Sequence, residues 1–211
     1  MNRKEFLTLG AAMAAGLALP TISLAAPSAG TYRPLSRPAP TEAPAGKIEV
    51  VEFFWFGCPH CFTLEPIIDK WSDKLPADVA FRRQHVPFRD RPHQQLYFTL
   101  ESMGLDQAKY RTAVFNAIHL NNKRMVQEKE MLEVLTPLGV DAKQFQDTFK
   151  SFGVRTKMQR ADKLADAYGI DGVPMLGVNG RYLTAPSLAG SNEGALRVVE
   201  ELVELERKSS R

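Results

Sequence analysis

The feature that most constrains this 211-residue chain is its pair of cysteines, Cys58 and Cys61, the only two in the sequence. They directly follow Lys47–Phe54, "KIEVVEFF", whose β-branched and aromatic residues predict a buried strand. Apolar residues at helical spacing follow in Phe62–Trp71, and Val79–Val86 predicts a second strand. The cysteines therefore lie where the first strand of a βαβ unit meets its helix.

A Cys-x-x-Cys pair at such a junction favours redox chemistry. The free N–H groups and the dipole of a helix N-terminus stabilise a thiolate at Cys58, which is predicted as the nucleophile. Cys61, about one turn later, is predicted as the resolving thiol. Pro59 has the fixed φ favoured in a first helical turn, and His60 adds a donor and, when protonated, a positive charge. Stabilising the thiolate favours the dithiol form, which makes the disulfide more oxidising.

Three other uses of the pair agree less well with the rest of the sequence. A zinc site needs two more ligands, but His85, His93 and His119 lie in three different predicted elements. Covalent haem attachment requires a histidine after the second cysteine, where this chain has Phe62. A structural disulfide across so short a loop would remove little unfolded-state entropy. We therefore predict no metal and no cofactor besides the redox-active disulfide itself.

The N-terminal segment predicts export. A basic start precedes an apolar stretch from about Phe6 to Leu24, and small residues fit a cleavage site near residues 25–26. Residues 1–26 therefore predict a secretory signal peptide. The alternative, a membrane anchor, is disfavoured because the run is short and is weakened around Pro20. The mature protein should lie outside the cytoplasm, where disulfides persist. The small net charge of +3 gives no argument for a nucleic-acid partner.

The remaining sequence predicts a discontinuous α/β domain with a helical insertion. Residues 27–46, rich in Pro, Ala, Ser and Thr, predict an extended leader with a short edge strand near Tyr32–Leu35. Periodicity assigns residues 47–88 and 154–207 to the α/β domain, and residues 89–153 to an inserted helical subdomain.

Pro174 has two open interpretations. It precedes a hairpin predicted by Asn179-Gly180. It is either an ordinary turn proline or a cis proline packed against the disulfide. In the second case the Val173 backbone would be free to pair with an extended substrate peptide.

Glu52 is unexpected in the apolar first strand, so we predict that it is buried. Burial of a carboxylate without a partner raises its pKa. Such a group can relay protons beneath the buried thiol of Cys61, which is the interpretation we favour. The alternative is a structural, outward-facing side chain.

These stretches together resemble a known family. "EFFWFGCPHCF" is similar to the motif region of DsbA-type thiol:disulfide oxidoreductases, periplasmic members of the thioredoxin superfamily that oxidise newly exported proteins. "QHVPF" (Gln84–Phe88) resembles the end of the family's second strand, and "GVPMLGVNGRYLTAPSLAG" (Gly172–Gly190) resembles its cis-proline loop and hairpin. Cys-Pro-His-Cys is more specific than Cys-x-x-Cys, because thioredoxins carry Gly-Pro between the cysteines.

The resemblance implies a thioredoxin fold with an inserted helical subdomain, and an enzyme that donates its disulfide to exported proteins in the periplasm. It implies that Cys58 is the nucleophile and Cys61 the resolving cysteine. It also implies that His60 tunes the Cys58 thiolate and that Glu52 is the buried acid. Pro174 would be the cis proline, and Glu65 matches a further acid near the site. Met175 stands where the family often has a smaller or polar residue, which predicts a more apolar groove.

The resemblance also implies a partner, a quinone-linked membrane protein of the DsbB type that re-oxidises the enzyme. We expect a monomer. An isomerase is disfavoured, because isomerases of this superfamily usually carry a dimerisation domain and residues 27–46 are too short for one. Two alternatives stay open. One is an isomerase or reductase, and the other is a non-enzymatic peptide-binding protein or chaperone that uses the apolar groove.

Overall fold

The computed structural model describes residues 28–89 and 91–209, so the predicted signal peptide lies outside the described residues. The described chain forms a five-stranded sheet and eight α-helices. The strands β1–β5 are Tyr32–Pro34, Ile48–Phe54, Val79–His85, Met175–Val178 and Tyr182–Thr184. The helices α1–α8 are Pro59–Ser72, Arg91–Ser102, Gln107–His119, Glu128–Leu135, Ala142–Phe149, Phe152–Tyr168, Pro186–Ala189 and Asn192–Ser209. Within these ranges no helix has both the length and the hydropathy needed to cross a membrane.

The sheet is mixed, with strand order β1-β5-β4-β2-β3. β2 pairs in parallel with β3, from Ile48 opposite Val79 to Phe54 opposite His85, and the two are joined through α1. β4 is antiparallel to both β2 and β5, and β1 is the antiparallel edge strand on β5. The predicted βαβ unit and edge strand are therefore confirmed, and β2 lies inside the sheet, where its C-terminal end can present the cysteines.

Helices cover both faces of β2. Successive side chains point to opposite sides of a strand, and here the apolar side chains on both sides are buried. On one face Val50 packs in a cluster with Leu64 of α1 and Val199 of α8. On the other face Phe53 packs against Tyr168 of α6, with ring centroids 4.9 Å apart. Complete burial of a side chain such as Phe53 stabilises the fold by roughly 1.5–3 kcal/mol.

The helical insertion packs directly on the redox motif. Cys58 and Cys61 belong to one buried cluster with Phe54, Phe56 and insertion residues such as Phe115. The Phe56 and Phe115 rings lie edge to face with centroids 5.1 Å apart. The motif is thus enclosed between the sheet and the insertion. The residue boundaries that we propose for the two domains stay a prediction.

The predicted hairpin joins β4 to β5. Asn179 and Gly180 both have positive φ angles, of 49° and 65°. A Cβ at Gly180 would lie 2.2 Å from the Ala39 carbonyl oxygen, so this position requires glycine. The Ala39 N–H donates to the Gly180 carbonyl at 2.7 Å, which fastens the leader segment to the hairpin.

Candidate active site

Cys58 is the N-cap residue of α1. Its Sγ accepts a hydrogen bond from the Cys61 backbone N–H at 3.4 Å, and Pro59 follows in the first turn, where no N–H donor is needed. The Cys58 N–H donates to the Trp55 carbonyl at 3.0 Å, closing the turn that leads from β2 into the helix. A Cβ at Gly57 would lie 2.3 Å from the Trp55 ring, so any larger residue there would have to displace that side chain.

The two thiols have opposite pKa shifts. The pKa of Cys58 is lowered from 9.0 to about 6, chiefly because the Cys61 thiol donates a hydrogen bond to its sulfur. The backbone N–H groups of Cys61 and His60 and the charge of His60 act in the same direction, against the effect of burial. The pKa of Cys61 is raised well above 9.0, mainly by burial, and the charges of Cys58 and Glu52 add to the rise. Cys58 is therefore the stabilised thiolate of the pair.

The loop before β4 lies against the nucleophile. The Val173–Pro174 peptide bond is cis, as the second interpretation of Pro174 expected. The Cys58 Sγ lies 3.4 Å from the Val173 carbonyl oxygen, to which the thiol can donate. Met175, the first residue of β4, is buried, and together with His60 these residues line a cleft of about 310 Å³. Val173, which lines this cleft, is also the residue whose carbonyl oxygen contacts the Cys58 sulfur.

Glu52 is buried as predicted, but it has a partner that the sequence analysis missed. The Arg83 Nε donates to the Glu52 Oε2 at 2.8 Å, and the two residues lie opposite each other in the parallel pair β2–β3. Even so, the pKa of Glu52 is raised from 4.5 to about 7, because burial outweighs the attraction of Arg83. The available signal was Arg82-Arg83 within a predicted strand, since a buried arginine needs a carboxylate partner.

Arg83 belongs to a larger ion cluster beneath α1. Its Nη2 donates to the Asp69 Oδ1 at 2.5 Å, and Arg111 Nη2 donates to the same oxygen at 2.8 Å. The Arg111 Nε also pairs with Glu65, whose pKa is raised because burial outweighs its arginine neighbours. Three carboxylates, those of Glu52, Glu65 and Asp69, thus share two guanidinium groups. The excess negative charge favours a proton on one of the carboxylates.

The three histidines outside the motif also meet near the turn. His85 Nε2 accepts a hydrogen bond from the Phe56 N–H at 3.2 Å, and His119 Nε2 lies 2.8 Å from the Phe56 carbonyl oxygen. His93 Nε2 lies 2.8 Å from the Arg124 carbonyl oxygen. The sequence placed these residues in separate elements and gave no signal that they converge. Across residues 28–89 and 91–209, no group of three or more His, Cys, Asp or Glu side chains is placed to hold a metal ion.

Comparisons with known proteins find the same family in sequence and in structure. The family described as DSBA-like thioredoxin domain matches residues 49–193. The "Thiol:disulfide interchange protein DsbA" of Azotobacter vinelandii is 46% identical over 175 residues, which cover 81% of each chain. The crystal structure of Pseudomonas aeruginosa DsbA superposes with a TM-score of 0.82 at 44% identity, over 86% of this chain and 94% of that one. The DsbA oxidoreductase structure from Xylella fastidiosa superposes with a TM-score of 0.79 at 30% identity, over 87% of this chain and 100% of that one.

Proposed function

Because this chain belongs to the DSBA-like thioredoxin family and is a thiol:disulfide oxidoreductase with the thioredoxin fold, we propose specific roles for its residues in disulfide donation. Cys58 and Cys61 form the redox-active disulfide, and no other cofactor takes part. The observation that carries this proposal is the position of Cys58 at the N-cap of α1, where its sulfur accepts the Cys61 backbone N–H at 3.4 Å. The pKa of Cys58, lowered to about 6, and the raised pKa of Cys61 agree with it. A stabilised Cys58 thiolate favours the dithiol product, so the disulfide acts as an oxidant.

The reaction passes two electrons from a substrate dithiol to the enzyme. A substrate thiolate attacks the Cys58 sulfur, the Cys58–Cys61 bond breaks, and Cys61 is the leaving group. A second substrate thiolate then attacks the substrate sulfur of the mixed disulfide, and Cys58 leaves as the stabilised thiolate. The products are a substrate disulfide and the enzyme dithiol. Pro59 and His60 shape the helix start that stabilises the Cys58 thiolate.

Glu52 supplies the proton that the first step needs. The pKa of Cys61 is raised, so its departing sulfur accepts a proton instead of staying ionised. The pKa of Glu52 is raised to about 7, which keeps a proton available at neutral pH, and the Glu52 charge acts on Cys61. The relay therefore links the ion cluster beneath α1 to the buried thiol.

The substrate chain binds along the loop that faces Cys58. The Val173 backbone pairs with an extended peptide, beside Pro174, in the manner of an added strand. Its carbonyl oxygen lies 3.4 Å from the Cys58 Sγ, and this short distance supports binding of the peptide next to the reacting sulfur. Met175 adds a flexible apolar side chain to this cleft, which favours substrates with apolar residues near the cysteine.

The substrates are reduced proteins newly exported to the periplasm, and residues 1–26 are the cleaved signal peptide. Each cycle leaves both enzyme cysteines reduced, so turnover requires an electron acceptor. A quinone-linked membrane protein of the DsbB type fills this role, and the enzyme works as a monomer.

Replacing the nucleophile tests the assigned roles. We expect Cys58→Ser to abolish oxidation of a reduced, unfolded test protein, because neither the enzyme disulfide nor the mixed disulfide can form. Retention of full activity would show that the mechanism is wrong. The redox equilibrium of the wild-type protein with glutathione separates an oxidase from a reductase. Potentials of about −120 mV for DsbA proteins and about −270 mV for thioredoxin mark the two cases.

A further inference from the structure

The backbone of Phe56, two residues before the nucleophile, is held by two imidazoles that the mechanism above does not use. Phe56 is fully buried, so its polar backbone atoms need partners inside the protein. Its N–H donates to His85 Nε2 at 3.2 Å, and its carbonyl oxygen accepts from His119 Nε2 at 2.8 Å. Phe56 lies inside the turn that the Cys58 N–H closes on the Trp55 carbonyl.

One of the two imidazoles accepts a hydrogen bond from the Phe56 backbone, and the other donates one to it. His85 Nε2 accepts a hydrogen bond, so it carries no proton, and burial together with the nearby His93 lowers the pKa of His85 well below 6.5. His119 Nε2 faces a carbonyl oxygen, so it carries a proton and donates. This donation is possible for both the neutral and the charged imidazole. Both contacts therefore persist around neutral pH.

His119 also contacts the other side of the motif. Its ring stacks on Phe62, the residue after Cys61, with centroids 4.9 Å apart and an interplanar angle of 10°. His119 is the last residue of α3, which belongs to the helical insertion. One side chain of the insertion thus touches the turn before Cys58 and the helix after Cys61.

We propose that His119 is a positioning residue, whose hydrogen bond holds the Phe56 carbonyl so that the Cys58 sulfur stays within reach of the Cys61 N–H, while the Phe62 ring packs against the imidazole. The inference rests on the proposed function only in that the same sulfur performs the exchange. If the Phe56 carbonyl is released, the turn loosens and the Cys58 sulfur moves away from the donors at the start of α1. The thiolate then loses part of its stabilisation, and the disulfide becomes a weaker oxidant.

Two substitutions separate the hydrogen bond from the ring packing. His119→Phe keeps an aromatic ring against Phe62 but removes the donor, whereas His119→Gln keeps an N–H donor and removes the ring. We expect His119→Phe to raise the pKa of Cys58 by about half a unit, and to lower the equilibrium constant for oxidation by the enzyme about threefold. His119→Gln should stay closer to the wild type in both measurements. Thiolate absorbance against pH and the equilibrium with glutathione supply the two readouts.

Phe145→Leu is the matched control for a general loosening of the insertion. Phe145 is fully buried in α5 and stacks on Phe149, with centroids 5.5 Å apart. We expect it to lower the free energy of unfolding without changing the pKa of Cys58. If His119→Phe does not fold, His119→Leu takes its place. It lacks both the ring and the donor, so its comparison with His119→Gln, which lacks only the ring, still isolates the hydrogen bond, and we expect the same rise in the pKa of Cys58.

Three results would overturn the proposal. In the first, His119→Phe, which lacks the donor, has the same pKa of Cys58 and the same equilibrium with glutathione as the wild type. In the second, His119→Gln shifts the pKa of Cys58 as far as His119→Phe does. In the third, Phe145→Leu produces the same shift. A wild-type disulfide that proves to be a weak oxidant would refute the proposed function, while the differences among the His119 variants would still decide this inference.

Discussion

Glu49 and Glu52 lie three residues apart in β2, on opposite faces of the sheet, and both are buried, with exposed fractions of 0% and 1%. Each pairs with an arginine of the neighbouring strand β3. The Arg82 Nε lies 2.9 Å from a Glu49 oxygen, and the Arg83 Nε lies 2.8 Å from a Glu52 oxygen. The residue type, the strand, the burial and the kind of partner are thus the same at both positions.

The two glutamates differ in what else surrounds them. Glu49 also accepts a hydrogen bond from the Glu42 backbone N–H at 2.8 Å, a neutral donor that stabilises the carboxylate. The arginine of Glu52 is shared with Asp69, and the charge of Glu52 acts on Cys61. The second carboxylate on the arginine also differs, because Asp69 beside Arg83 is 34% exposed whereas Glu42 beside Arg82 is 65% exposed.

The largest difference is expected when the two arginines are removed one at a time. Arg83→Met leaves three carboxylates with one remaining guanidinium, that of Arg111. We expect this substitution to lower the free energy of unfolding at pH 8 by about 3–5 kcal/mol. Arg82→Met leaves one buried carboxylate, that of Glu49, without its arginine, because the other partner of Arg82, Glu42, is 65% exposed. The Arg82 side chain is also 22% exposed against 11% for Arg83, so water replaces more of it. The free energy of unfolding should therefore fall less for Arg82→Met than for Arg83→Met. Urea unfolding of the oxidised proteins measures both, and equal losses would break the comparison.

The pH dependence of stability sharpens the comparison. The pKa of Glu52 is about 7 in the folded protein against an ordinary 4.5, so the folded state retains its proton longer. Protonated Glu52 therefore contributes to the free energy of unfolding. This contribution is fully present below pH 4.5 and is lost as the pH rises to about 7. Glutamine does not titrate, so the Glu52→Gln variant does not lose this contribution. Its free energy of unfolding relative to that of the wild type should therefore rise by roughly 3 kcal/mol from pH 4.5 to about 7.

Urea unfolding of the oxidised forms measures this rise, since oxidation removes the titrating thiols. Glu49→Gln is the matched control, because it also removes a buried carboxylate from β2. A Glu52→Gln variant whose stability parallels that of the wild type at every pH would contradict the raised pKa of Glu52.

The smallest expected effect is on catalysis. Glu52→Gln should slow thiol–disulfide exchange about tenfold near pH 7, because the departing Cys61 sulfur loses its proton source. Glu49→Gln has no such connection and should exchange at the wild-type rate. Stopped-flow measurement of the mixed-disulfide step across pH gives both rates. An unchanged rate for Glu52→Gln at all pH values would leave Glu52 a structural residue.

The sequence by itself determined the local features of this protein. Runs of β-branched and aromatic residues located β2 and β3, and helical spacing located α1, each within a few residues, because such patterns depend on the burial of one element at a time. The four-residue helix Pro186–Ala189 was missed, since it is too short to show a period. The Cys-x-x-Cys spacing placed Cys58 at a helix start, and the apolar neighbours of Glu52 predicted its burial. For Pro174 the residues themselves left two conformations open.

Tertiary structure decided which side chains meet around those local features. Arg111 is 46 residues from Glu65 in the chain, and His119 is 63 residues from Phe56. The register of β2 against β3 set Glu52 opposite Arg83, where a shift of one residue would have placed it opposite Arg82 or Gln84. Local spacing carries no information about such pairs, because they depend on how strands align and how the insertion docks. The motif itself was therefore evident from the sequence, while its ion cluster and its histidine contacts required the fold.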